Sequence, residues 1–216
     1  MTRLLLLCGI VAPLVYLATV IAGAAAVPQY SHIAMAVSAL AQRGTPHPMV
    51  IEIGFSLSAV LSAAFGFGIW KTAGDRDGAL HLSGALLIAY GIVALMITTA
   101  FPMDPVGGEV TLPGIMHLVL VGLSAMILLA AILLAGFAFG RNAPWFRAYS
   151  VVSALLMLLG GAFAYVSVQR GLPLSGLAER ITLAAYLVWI LVFAATLLRR
   201  GRGQNAAAQP AAQPGR

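Results

Sequence analysis

The sequence predicts an all-α membrane protein, a bundle of six transmembrane helices with both ends on one side. Three observations carry this expectation. Of 216 residues, 61% are hydrophobic and only 8% are charged, against about 25% charged in a water-soluble domain. Six long apolar runs recur along the chain, each near the ~20 residues needed to cross a bilayer. The basic residues fall in the gaps between those runs and are unevenly shared between the two sides.

The runs cover approximately 4–27, 49–70, 80–101, 114–139, 148–168 and 180–198. They are continuous rather than alternating, so the short two-residue-period segments of a transmembrane barrel do not fit. In lipid every backbone N–H and C=O must be satisfied internally, which leaves helices. The first run is much longer than the hydrophobic region of a signal peptide, so it is expected to stay as the first spanning helix. Residues 1–200 then form one domain. The Ala-, Gln- and Pro-rich stretch 201–216 reads as a disordered cytoplasmic tail.

Orientation follows from Lys and Arg. With the N-terminus inside, that side holds Arg3, Lys71, Arg76, Arg141, Arg147, Arg199, Arg200, Arg202 and Arg216; the other holds Arg43, Arg170 and Arg180. Cytoplasmic loops carry the basic excess, so both termini are expected in the cytoplasm, with the protein in a cell membrane. The net charge of +6 is therefore a topology signal. It forms no basic patch interleaved with aromatics, and nucleic acid is not an expected partner. Membrane lipids are. The single cysteine, Cys8, lies inside an apolar run and excludes a disulfide framework or a CxxC pair.

Small residues recur in the second helix at Gly54, Ser58, Ser62 and Gly66, a spacing that lets a neighbouring helix approach. Gly136 and Gly140 form one GxxxG pair at the end of the fourth. Both are read as packing within the chain.

Polar side chains with chemical potential collect on the outward side. The segment from Gln29 to Pro48 holds His32, Ser38, Gln42, Arg43 and His47, and its apolar Ile33, Ala36, Val37 and Leu40 suit a short interfacial helix. Glu52 lies about one turn inside the second helix, where an ionisable group is a functional hypothesis and pairing with an outward arginine is the structural alternative. Asp104 stands between Pro102 and Pro105, His117 opens the fourth helix, and Glu179-Arg180 opens the sixth. Proline restricts its own φ and its predecessor's backbone, so Asp104 is expected in a defined geometry, in contact or near-contact with His117, with Arg43 or Arg180 supplying charge. The candidate outward cluster is thus His47, Glu52, Asp104, His117, Arg43, Glu179 and Arg180. Its two imidazoles and two carboxylates (His47, Glu52, Asp104, His117) would suit a zinc-like ion, but no HExxH or HxxxH spacing accompanies them. A hydrogen-bonded cluster tying helix ends is the favoured reading, and no cofactor motif, P-loop or dinucleotide glycine pattern occurs.

Ser38-Ala39-Leu40-Ala41-Gln42-Arg43-Gly44-Thr45-Pro46-His47, then Gly54-Phe55, Phe101-Pro102-Met103-Asp104-Pro105, His117 and Glu179-Arg180 together resemble the prokaryotic membrane family named domain of unknown function 998. The resemblance runs from the first helix to the sixth. It implies six helices and no particular activity, and it leads one to expect an uncharged polar residue where this chain has Glu52. A weaker likeness extends to the DRAM, Frag and Sfk group of membrane proteins, some associated with lipid handling.

Three function classes fit. The first is an outward-facing polar pocket that binds or handles a lipid or amphiphile, because polar groups gather on one side and almost none lie mid-bilayer, where ion pathways place them. The second is an integral-membrane hydrolase or lipid-modifying enzyme, metal-dependent or not, using the same residues. The third is a structural subunit of a membrane complex.

Overall fold

The computed structural model describes residues 1–75, 77–105 and 107–207. Its six long helices are α1 (Thr2–Ala26), α2 (Pro48–Thr72), α3 (Gly78–Thr99), α4 (Leu112–Phe139), α5 (Pro144–Gln169) and α6 (Ser175–Ala207), with one 3-10 turn at Ser38–Ala41. All six have the length and hydropathy to cross a membrane, and no strand occurs among the described residues. The protein is a multi-pass helical membrane bundle.

Local chemistry sets the helix ends. Proline occupies the first turn of α2, α4 and α5, where its missing N–H would be unpaired anyway. Thr111 caps α4 by accepting the Gly114 N–H at 3.3 Å, and Asp77 caps α3 through the Leu80 N–H at 3.4 Å. Gly171 closes α5 with φ +62°, a left-handed conformation that costs glycine little. α6 continues to Ala207, past the boundary at 200 expected from composition. The rest of the expected tail, 208–216, lies outside the described residues.

Each helix packs on its sequence neighbours, and α6 closes the ring against α1. Thr2, Asp77, Arg141 and Arg200 all border one recess, so the two ends of the helical bundle share a face, here called the termini end. The other face is the loop end. Long apolar side chains such as Leu17, Ile53, Leu118 and Leu159 are exposed around the outside, as a lipid-facing belt requires.

The centre of the ring is filled at the termini end by aromatic side chains. Phe65, Phe139, Phe146, Trp189 and Phe193 are buried. Phe146 lies 4.9 Å from Phe193, ring centre to ring centre, and Phe139 lies 5.6 Å from Phe193. The Trp189 indole N–H donates to Ser150 Oγ at 2.9 Å, which satisfies its polar edge inside an otherwise apolar core.

Glycine permits the closest crossings. A methyl group at Gly66 or at Gly84 would come 2.7 Å from the other's carbonyl oxygen, so α2 and α3 touch backbone to backbone there. Gly136 faces Ser150 and Gly140 faces Arg147; the GxxxG pair therefore serves the α4–α5 contact. The small-residue stripe of α2 meets three helices rather than one. Gly54 faces Thr19 and the Ser58 hydroxyl donates to the Ala12 carbonyl, both on α1. Ser62 accepts from the Tyr186 hydroxyl of α6 at 3.3 Å, and Gly66 faces α3. Four residues advance an α-helix by slightly more than one turn, so the stripe drifts by about 40° per step.

Candidate functional site

The segment from Val27 to His47 is stitched over the loop end instead of lying along the membrane surface. The expected interfacial helix is a single 3-10 turn, and its apolar residues divide: Val37 and Leu40 are buried against Val20 and Ile51, Ala36 is half-buried and Ile33 is exposed. Val37 and Leu40 pack into the bundle while Ile33 stays outside, so the four residues do not form the one apolar face that their helical spacing suggested.

The first residues of α6 hold this segment almost residue by residue. The Leu177 N–H donates to the Ile33 carbonyl at 2.9 Å, and the Ser175 hydroxyl to the Ala34 carbonyl at 2.9 Å. Arg180 Nη1 donates to the Met35 and Gly176 carbonyls, while Nη2 donates to the Tyr30 hydroxyl at 2.7 Å and lies 3.1 Å from His32 Nδ1. Glu179 accepts the Val37 N–H at 2.6 Å. Gly176 is required by the close approach, because a methyl group there would strike the Met35 carbonyl. Burial raises the Tyr30 hydroxyl pKa above its ordinary value, opposed by the Arg180 guanidinium.

A second clasp closes the loop between α3 and α4. The Thr111 N–H donates to Asp104 Oδ2 and the Thr111 hydroxyl to Asp104 Oδ1, both at 2.8 Å. Arg43 lies 3.8 Å from the same carboxylate. The Thr111 hydrogen bonds, backbone first, hold the Asp104 pKa below the usual carboxylate range, with Arg43 adding to the effect. Gly114 leaves room for the carboxylate, since any side chain there would collide with it.

His117 takes a different partner. Its Nδ1 lies 2.8 Å from the Phe101 carbonyl oxygen, which can only accept, so Nδ1 carries the proton. Asp104 and His117 are near enough for their charges to interact, but no hydrogen bond joins them. α4 begins at Leu112, which puts His117 about 9 Å along the axis from Thr111, and the carboxylate is satisfied at the helix cap first.

The seven sequence-selected residues therefore separate. Arg43 and Asp104 form the clasp, and Arg180 anchors the Tyr30 segment. Glu179 and His117 line one interior chamber. His47, with φ +51° before Pro48, borders an outer groove between α1 and α2 instead. Glu52 makes no ion pair within 4 Å among the described residues. No group of three or more His, Cys, Asp or Glu is placed to hold a metal among the described residues, so the set His47, Glu52, Asp104 and His117 is not gathered. The His47 groove and the Asp104 clasp lie on separate features, which explains why.

The chamber has a volume of about 160 Å³ and occupies the middle of the ring above the aromatic core. Tyr16, Phe55, Tyr90, Met103, His117 and Glu179 are among its walls. Val121 of α4 lines it and is also exposed on the bundle surface, so the chamber reaches the apolar belt on that side. α4 and α5 touch near their junction through Gly136 and Gly140, whereas Gly122 and Gly161 face open space. Tyr16 and Tyr90 escaped sequence reasoning, because a tyrosine in an apolar run looks like packing. Thr111 was missed as well; a threonine just before Leu112-Pro113 is a helix-cap signal that could have found it, though nothing in the sequence signals its bond to Asp104.

The chain matches the family model described as "Protein of unknown function (DUF998)" over residues 10–196, a span that reaches into all six helices. The chain belongs to this family. No curated protein and no solved structure matches it. For this DUF998 protein, the chemistry must be argued from the chamber itself.

Proposed function

We propose that this DUF998 protein binds the head of a membrane amphiphile in its loop-end chamber, and that the head is a hydrogen-bond donor. One observation carries the reading: both polar anchors of the chamber offer acceptors. A carboxylate has about four acceptor sites; Glu179 uses two on the Val37 N–H and the neighbouring Ser38 backbone and keeps the others for the chamber. His117 uses Nδ1–H on Phe101, which leaves Nε2 as a lone pair in the neutral ring. An amine or a hydroxylated head satisfies both. The apolar walls and the opening beside Val121 suit an alkyl chain that stays in the bilayer. Small-molecule sites have this character, apolar walls with a few convergent polar groups.

The basic excess at the termini end favours that end in the cytoplasm, and hence a chamber that faces outward. Mass spectrometry of lipids retained by the purified protein tests the binding. The expected result is a retained amphiphile with an amine or polyol head, depleted about tenfold in Glu179→Gln, the loss of one charged hydrogen bond. Identical retention by wild type and variant would contradict the reading.

A further inference from the structure

We infer a second site at the termini end: a basic recess that binds a phosphate group of net negative charge, one with no cation of its own beside it. The recess has a volume of about 560 Å³ and is bordered by Arg3, Arg141 and Arg200, with Asp77 the only carboxylate among the described residues that line it. That carboxylate is already engaged, lying 3.4 Å from Arg141 Nη2 and capping α3 through Leu80. Three guanidinium groups against one carboxylate leave a surplus of two positive charges in one concavity.

Topology alone does not account for this arrangement. A basic bias between the two sides of a membrane needs only a count of charges in the loops. Here arginines from α1, the α4–α5 junction and α6 converge on one recess, and two of them are held. Asp77 positions Arg141, and the Arg200 guanidinium lies 3.8 Å over the Phe139 ring. A planar guanidinium held in place offers paired N–H donors that match phosphate oxygens. Asn142 adds an amide at the rim, and Leu6 and Leu197 give the floor an apolar surface. Basic recesses between spanning helices recognise phosphorylated heads in this way. The phosphate can come from an acidic phospholipid or from a soluble phosphorylated compound.

The test uses the full chain in uncharged detergent, with three probes: inorganic phosphate, short-chain phosphatidylglycerol and short-chain phosphatidylcholine. Binding is read by native mass spectrometry and by thermal shift. Arg141→Gln/Arg200→Gln should weaken phosphatidylglycerol binding by about tenfold or more, and Arg200→Lys by a smaller factor, as the paired donors are lost. Arg170→Gln at the loop end should leave binding unchanged. Phosphatidylglycerol binding without phosphate binding identifies a lipid head; binding of both with the same arginine dependence identifies the phosphate group alone. If the double variant does not fold, Arg200→Lys and the wild-type preference for phosphatidylglycerol over phosphatidylcholine decide. Equal affinity for the two lipids, no binding of any probe, or binding indifferent to the arginines would overturn the site.

Discussion

The two halves of the bundle solve the same packing problem differently. At the termini end the ring is plugged by Phe65, Phe139, Phe146, Trp189 and Phe193, all buried and in mutual contact. At the loop end the ring surrounds a chamber, and polar latches replace the plug: Arg180 on Tyr30 and Met35, Glu179 on Val37, Thr111 on Asp104. Helices in lipid gain little from hydrophobic burial against one another, so close packing must hold one half. Charge-assisted hydrogen bonds hold the other, where water and headgroups are near. The interior space lies at the loop end, within the ring, whereas the recess at the termini end lies where α1, α6 and the α4–α5 junction meet. A bundle plugged throughout would be more rigid and would have no space for a ligand.

The contrast can be broken or sharpened by measurement, beginning with an effect that is all or none. If the basic asymmetry sets orientation, Ala73→Cys reacts with impermeant reagents only from the cytoplasm, and Gly108→Cys only from outside. Reversed labelling would swap the two halves. Next in size, Trp189→Ala should cost about 3–5 kcal/mol, as large-to-small core changes do. Leu183→Ala, in the chamber wall, should cost less than half of that, because one side of Leu183 already lacks neighbours. Similar losses at both positions would mean the chamber is packed shut in the membrane.

Smaller effects probe the latches. Arg180→Gln removes the charged donor shared by Tyr30 and Met35 and should cost about 2–3 kcal/mol, within the range for hydrogen bonds to charged groups. Proteolysis should appear first in 28–37. Thr111→Val should cost about 1 kcal/mol as a lost helix cap, and it should also raise the Asp104 pKa. The sign is set by the clasp. A carboxylate whose folded pKa is depressed adds stability that is fully present above its unfolded value near 4. That stability is lost as pH falls through the lower folded value. An acid titration of wild type should show this loss, and Thr111→Val should shrink it.

Much of the fold was legible because spanning helices need only local composition. Six apolar runs became six helices; prolines and caps start α2, α3, α4 and α5 a few residues early, and α6 runs well past its apolar run at both ends. The candidate site was legible only in part. Glu179 and His117 do line the chamber, but nothing in their spacing says which of seven polar residues face inward. That depends on how the Val27–His47 segment folds across the ring, and its helical spacing suggested a surface helix. Asp104 behaved as its flanking prolines suggested, fixed in one geometry, yet its partner is Thr111 because the helix starts earlier than the apolar run. Tyr16 and Tyr90 carry no sequence signal that separates a chamber wall from a packed core.

The central claim, a ligand chamber at the loop end over a solid core at the termini end, is tested most directly by filling the chamber. Ala94 lines it, and Ala94→Phe should occupy much of its volume. Thermal unfolding is then compared for wild type and variant, with and without alkyl amines or alkyl glycosides, and with an alkyl phosphocholine that has no hydrogen-bond donor. The expected result is that donor-headed amphiphiles stabilise wild type, that the phosphocholine does not, and that Ala94→Phe responds to none of them. Equal stabilisation of wild type and Ala94→Phe by the donor-headed amphiphiles would contradict the account.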